Sequence, residues 1–183
     1  MKKNRMNQKG FTLIELLAVI VILAILMTLA VTSMQRYINN AKKDTYITTA
    51  QQFLSSVRLG ITNGDYDTPD ISECTVVAIK DIETTSDIKQ SPYNKNYKDD
   101  ESYVVVHNSA SNGGTTTLDY YIAMNDASNN GFKLTKESAL ARGVVFTRVA
   151  NSGITAVTKT SINSDLTLHD STTCKVTHYY PTN

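Results

Sequence analysis

The chain has 183 residues, with 18 basic and 17 acidic side chains and a formal net charge of +1, which is room for one modest domain plus an anchor. Four of the basic side chains, Lys2, Lys3, Arg5 and Lys9, lie in the first ten residues, and without them 14 basic side chains face 17 acidic ones. That balance lacks the basic stripe that a nucleic-acid binder needs, so no specific nucleic acid is expected as a partner.

The first element follows this charged leader. From Phe11 to Val31 only Thr12, Glu15 and Thr28 are polar. As a helix the run spans about 31 Å, the thickness of a bilayer's hydrocarbon core. The positive leader predicts a cytoplasmic amino end and an external carboxyl end. Glu15 is the anomaly. A carboxylate in an apolar helix is costly unless it is paired, and no basic residue follows until Arg36. Its partner is expected from outside the run.

Three readings compete for this segment. A cleaved secretory signal would have a shorter apolar region and a small-x-small ending, and Ala30-Val31-Thr32 is a poor one. An uncleaved anchor explains the length but leaves Glu15 and the abrupt Gly10-Phe11 junction as accidents. Cleavage at Gly10-Phe11 with retention of the oily segment accounts for all three features.

On these residues a resemblance can be stated. Lys9-Gly10-Phe11-Thr12-Leu13-Ile14-Glu15-Leu16 resembles the class III signal of type IV pilins and of the pseudopilins of type II secretion and competence systems, over roughly residues 9–31. The resemblance implies that a prepilin peptidase and methyltransferase removes residues 1–10 and methylates the new amino group of Phe11. It also implies an inner-membrane assembly platform as partner, and self-association into a helical homopolymer. Inside hydrocarbon, the Phe11 ammonium of one subunit and Glu15 of its neighbour are better satisfied together than apart. The family often carries Pro where this chain has Thr32 and Gly where it has Ala24.

The apolar run passes into an amphipathic stretch. Met34, Tyr37, Ile38, Ala41, Thr45, Tyr46, Ala50, Phe53, Leu54, Val57 and Ile61 recur at three- and four-residue steps, the mark of a helix with one buried stripe. Gly60 and Gly64 supply the stop, followed by Asp65 and Pro69. One helix is expected over 11–63, about 80 Å long, with its first half protruding.

After Pro69 the pattern turns to short β-rich runs, at Val76–Ile79, Tyr103–His107, Leu118–Met124, Val144–Val149, Ile154–Lys159 and Val176–Tyr180. Asn112-Gly113-Gly114, Asn129-Asn130-Gly131 and Asn151-Ser152-Gly153 mark turns. Lys136–Arg142 reads as a short helix. The expected fold class is α+β, a long helix packed on an antiparallel sheet. The organisation is a leader (1–10), an assembly half (11–33) and an amphipathic half (34–63) of the helix, a connecting region (64–102) and the sheet (103–183), with 34–183 as one head. Residues 80–102 resemble the variable loop of pilins.

Cys74 and Cys174 are the two cysteines. In an exported protein an even pair reads as a disulfide, and closing a loop of about 100 residues suggests roughly 4–5 kcal/mol of stabilisation. Two buried free thiols are the alternative. Many Gram-negative pilins close a much shorter terminal loop, so this spacing departs from that pattern.

No catalytic set is visible, and no enzyme activity or cofactor is expected. His107, His169 and His178 lack metal-site spacing. Asp65, Asp67 and Asp70 place oxygens at alternate positions, which suits calcium, but Pro69 and the missing downstream Glu make an acidic turn the preferred reading. Tyr120-Tyr121 and Tyr179-Tyr180 are expected to leave one exposed ring each. The expectation is therefore a type IV pilus subunit in the cell membrane before assembly and extracellular after it. A pseudopilin and a non-polymerising anchored binding domain are the alternatives. Adhesion, surface motility, DNA uptake and secretion all use this design, and the short leader and sparse cysteines suit a Gram-positive source.

Overall fold

The computed structural model describes residues 11–83, 88–110, 115–149 and 152–181. The leader with Gly10, the expected turn at Asn112-Gly113-Gly114, and Asn151 lie outside them. The chain divides into two compact units after Asn40.

The first unit holds the amino-terminal part of α1 (Leu13–Asn63). Its start is set by a reciprocal cap. The Thr12 hydroxyl accepts the Glu15 amide hydrogen at 3.4 Å, while Glu15 Oε2 accepts the Thr12 amide at 2.8 Å. This T-x-x-E box satisfies two donors that a helix start otherwise leaves unmade. All described side chains from Phe11 to Ala41 are exposed.

The second unit begins at Ala41. Along α1, burial starts at Tyr46 and continues through Ala50, Phe53, Leu54 and Val57. The expected stripe reached back to Met34, but Met34, Tyr37 and Ile38 precede the division and stay exposed. The helix ends at Gly64, whose φ of +82° lets the Asp65 amide turn back onto the Gly60 carbonyl at 2.8 Å in the left-handed conformation that glycine tolerates. Gly60 is needed for a different reason: a Cβ there would lie 2.5 Å from the Tyr66 ring packed on the helix.

Next come β1 (Glu73–Ala78), α2 (Ile79–Glu83), β2 (Tyr103–Asn108), β3 (Leu118–Asn125), β4 (Gly131–Lys136), β5 (Asp165–Thr167) and β6 (Thr173–Tyr180). They form one six-stranded sheet in the order β4-β3-β2-β1-β6-β5. Neighbours pair antiparallel except β1 with β6, which are parallel. The fold is thus α+β as expected, with a mostly antiparallel sheet.

Strand alternation sorts the core into two layers. Val77, Val104, Val106, Tyr120, Ile122 and Met124 pack with the α1 residues Tyr46, Phe53, Leu54 and Val57. Cys74, Val76, Tyr103, Val105, Tyr121 and Ala123 face the other way, against Val157, Leu166 and Leu168. Both faces of β1, β2 and β3 are covered, so these strands read as near-continuous apolar runs. Tyr120 and Tyr121 are both buried, so the expected exposed ring of that pair is absent.

Several expected elements differ. Val144–Val149 is not a strand; Phe146 makes only an isolated bridge to Gly131. Ile154–Lys159 is not one either, because Ile154 and Val157 serve as cover for the second layer. Lys136–Arg142 is not a helix but holds separate 3-10 turns at Glu137–Ala139 and Arg142–Val144. Their charges clamp α1, through Glu137 to Arg58 at 2.7 Å and Arg142 Nε to Asp44 at 2.6 Å. Strands β4 and β5 lie outside the expected β-rich runs. The region 64–102 contains β1 and α2, and 80–102 joins β1 to β2 rather than helix to sheet. That stretch is anchored. Tyr97 packs edge-on to Tyr46 and Phe53, and the Ser91 hydroxyl donates to buried Asp126 at 2.7 Å. The Tyr46 hydroxyl donates to the Asn130 carbonyl at 2.9 Å, and burial pushes its pKa far above the ordinary tyrosine range, so it stays a donor.

Candidate functional site

The candidate site is the start of α1. Phe11 is 88% exposed and stands one residue before the cap. Glu15 lies in the first helical turn, where a negative charge also complements the helix dipole. Its Oε2 accepts the Thr12 hydroxyl at 2.6 Å as well as the Thr12 amide. This corrects the expectation that the partner of Glu15 must come from outside the run. Thr12 was legible as that partner, since Thr-x-x-Glu before an apolar stretch is a capping signature. The correction is partial. Thr12 supplies neutral donors only, and no ion pair among the described residues includes Glu15.

Apart from Thr12, the side chains around Glu15 along the helix are apolar. Leu13, Ile14, Leu16, Leu17, Val19 and Ile20 are all at least half exposed. An 18-residue window in α1 has a mean hydropathy of 2.9 and none of it is buried, so the helix is long and apolar enough to cross a membrane. Nothing within the first unit covers this surface.

The remaining candidates lie in the second unit. Cys74 and Cys174 form a disulfide between the neighbouring strands β1 and β6, with Cα atoms 5.8 Å apart. Asp65, Asp67 and Asp70 are not gathered around one point. Asp67 Oδ2 accepts the Tyr180 hydroxyl at 2.7 Å and lies 3.5 Å from His178 Nε2. The physical reason is the parallel pairing of β6 with β1, which lays Tyr180 and His178 over the turn after α1. Among the described residues no group of three or more His, Cys, Asp and Glu side chains could hold a metal ion. His169 is exposed and His107 is buried.

With this geometry in place, comparison with known proteins is informative at one end of the chain. Residues 5–31 match the family described as the prokaryotic N-terminal methylation motif. The chain therefore carries the class III signal of type IV pilins and pseudopilins. Pilin-like and pseudopilin precursors, which are structural proteins in general, carry this signal, and it implies processing by prepilin peptidase. No curated protein and no solved structure matches the chain.

Proposed function

We propose that the chain is the structural subunit of an extracellular type IV pilus. It enters the membrane as a precursor, loses residues 1–10 by cleavage after Gly10, is methylated on Phe11, and polymerises through residues 11–33. The observation that carries this reading is the constellation of Phe11, Thr12 and Glu15 at the head of an apolar helix with no cover of its own. Lipid covers such a surface before assembly, and the same surface of other copies covers it afterwards.

The cap gives Glu15 a defined pose. Neutral donors orient the carboxylate but leave its charge unbalanced, and an unbalanced charge in hydrocarbon attracts a cation. Cleavage creates one, the ammonium of Phe11. Within its own chain that group is held next to the cap, so the ammonium of the next subunit is the partner that links two copies and sets axial register.

Three substitutions separate capping from charge. Glu15→Gln keeps the capping geometry and removes the charge. Thr12→Ala removes the cap and keeps the charge. Glu15→Ala removes both. All three precursors should reach the membrane. Sheared surface fibres, quantified for this chain, should be absent for Glu15→Ala, scarce for Glu15→Gln and near normal for Thr12→Ala. Normal fibres from Glu15→Ala contradict the pairing. Full assembly of the wild-type chain only into short membrane-bound pieces assigns it to the pseudopilins instead.

A further inference from the structure

Among the described residues of the second unit, the exposed large apolar side chains are Leu59, Ile71 and Val149. Two of them belong to features that fit together. Leu59, 61% exposed, forms one wall of a cavity of about 270 Å³ at the carboxyl end of α1. Tyr66 and Ile82 form further apolar walls, and Ser56, Asn63 and Asp65 add polar ones. Val149 lies in an irregular segment whose backbone is held in place. The Asn129 carbonyl accepts the Val149 amide at 3.2 Å, and Asn130 Oδ1 accepts the Arg148 amide at 3.1 Å. Arg148 has a φ of +53°, a left-handed conformation that residues with a Cβ seldom adopt. Such strain persists where the surroundings fix a residue for a purpose.

The two features lie toward opposite ends of α1 within this unit. The turn that holds Arg148 and Val149 is bonded to Tyr46, whose hydroxyl donates to the Asn130 carbonyl. The cavity is built on the last two turns of the helix. Tyr46 and Gly60 are about 21 Å apart along the axis, at 1.5 Å per residue. At that separation a chain does not seat its own Val149 in its own cavity.

The two ends also differ in charge. Arg148 makes no ion pair among the described residues, and neither do Lys42 and Lys95. Lys42 lies 5.1 Å over the Tyr93 ring, Lys95 is in the hairpin that carries Tyr93, and Tyr93 packs against Tyr46. These cations therefore gather at the Tyr46 end. At the cavity end Asp65 is exposed and likewise has no ion pair among the described residues.

We propose that the occupant of the cavity is Val149 of a second copy of this chain, with Arg148 of that copy beside Asp65. The inference rests on the fibre reading above and adds a contact between the sheet-bearing units. Seating Val149 takes apolar surface out of water, and the opposite charges set register and exclude wrong partners. Copies drawn from one membrane share one orientation, so the contact runs head to tail rather than reciprocally. Each copy then keeps one cavity or one Arg148-Val149 segment open for the next, and the contact repeats along a fibre.

The test places Leu59→Cys and Val149→Cys together in the full chain and oxidises sheared fibres. Electrophoresis without reductant should show a ladder beyond the dimer, while either single variant stays monomeric. In a second arm, Asp65→Lys and Arg148→Glu should each lower fibre yield about ten-fold or more, and the combined exchange should return it to within about three-fold of wild type. The thermal midpoint in detergent should be unchanged in all three. Fibres whose doubly substituted chains stay monomeric or stop at dimers overturn the contact alone, as does an exchange that recovers nothing. A wild-type chain that forms no fibres overturns the fibre reading, and this contact with it.

Discussion

Two stretches of α1 are rich in large apolar side chains and meet opposite fates. Between Leu13 and Val31 all of them are exposed, whereas Tyr46, Phe53, Leu54 and Val57 are buried against the sheet. Helical propensity does not distinguish them, since both belong to one uninterrupted helix. The distinction lies in the pattern of polar residues. Near Phe53 and Leu54, polar side chains such as Gln51, Gln52, Ser55 and Ser56 alternate with apolar ones at helical spacing, giving one buried face and one wet face. Between Leu16 and Met27 no polar side chain interrupts the run, so there is no wet face. A helix that is apolar all round needs cover on every side, and a single sheet provides cover on one. The first stretch is thus built for a surrounding medium or many neighbours, the second for one partner in its own chain.

The largest expected effect falls on the unit that holds the second stretch. Replacing Cys74 and Cys174 together by Ser should lower the stability of the sheet-bearing unit by roughly 4–5 kcal/mol on loop entropy, read by denaturant unfolding in detergent. Membrane insertion of the precursor should not change. A loss of insertion would break the claimed independence of the two stretches.

A paired truncation sharpens the contrast. Phe53→Ala should destabilise the same unit by about 3–5 kcal/mol, as expected for a buried aromatic ring. Leu23→Ala, on the exposed stretch, should move it by less than about 0.5 kcal/mol, with its cost appearing in fibre yield. Similar unfolding shifts for both would contradict the division of roles.

The smallest effect is electrostatic. The Arg142 guanidinium hydrogen-bonded to Asp44 holds its carboxyl below the usual range. A depressed carboxylate pKa contributes stability above the ordinary value, and that contribution is lost as pH falls through the folded one. The pair is solvent-exposed, so Arg142→Ala should produce a slight, salt-screened fall in thermal midpoint near neutral pH. That fall should vanish in strong acid. A fall that persists in acid would place the role of Arg142 elsewhere.

Much of this contrast is legible in the residues alone. The apolar run, the stop at Gly64, and the strands around Tyr103–His107 and Leu118–Met124 follow from periodicity. What escapes is set by distant partners. Strand β4 carries only Phe132 and Leu134 as large apolar residues, and β5 is three residues long; both exist because neighbouring edges offer unpaired backbone. Val144–Val149 has strand composition but meets the edge strand β4 only at the Phe146–Gly131 bridge, and Ile154 and Val157 of the other run serve as cover for the second core layer, so neither run becomes a strand. The parallel pairing of β6 with β1 is a property of chain routing that no local pattern encodes. At the amino end the signal is local: Thr12 and Glu15 are polar exceptions in the apolar run, and their i, i+3 spacing makes them a cap.

The central claim is that the exposed stretch is prepared for assembly by cutting at Gly10-Phe11, and intact mass spectrometry of the chain recovered from cells tests it most directly. The expected product begins at Phe11 and carries one methyl group on its amino nitrogen. A chain that keeps residues 1–10, or begins at any other residue, would contradict it.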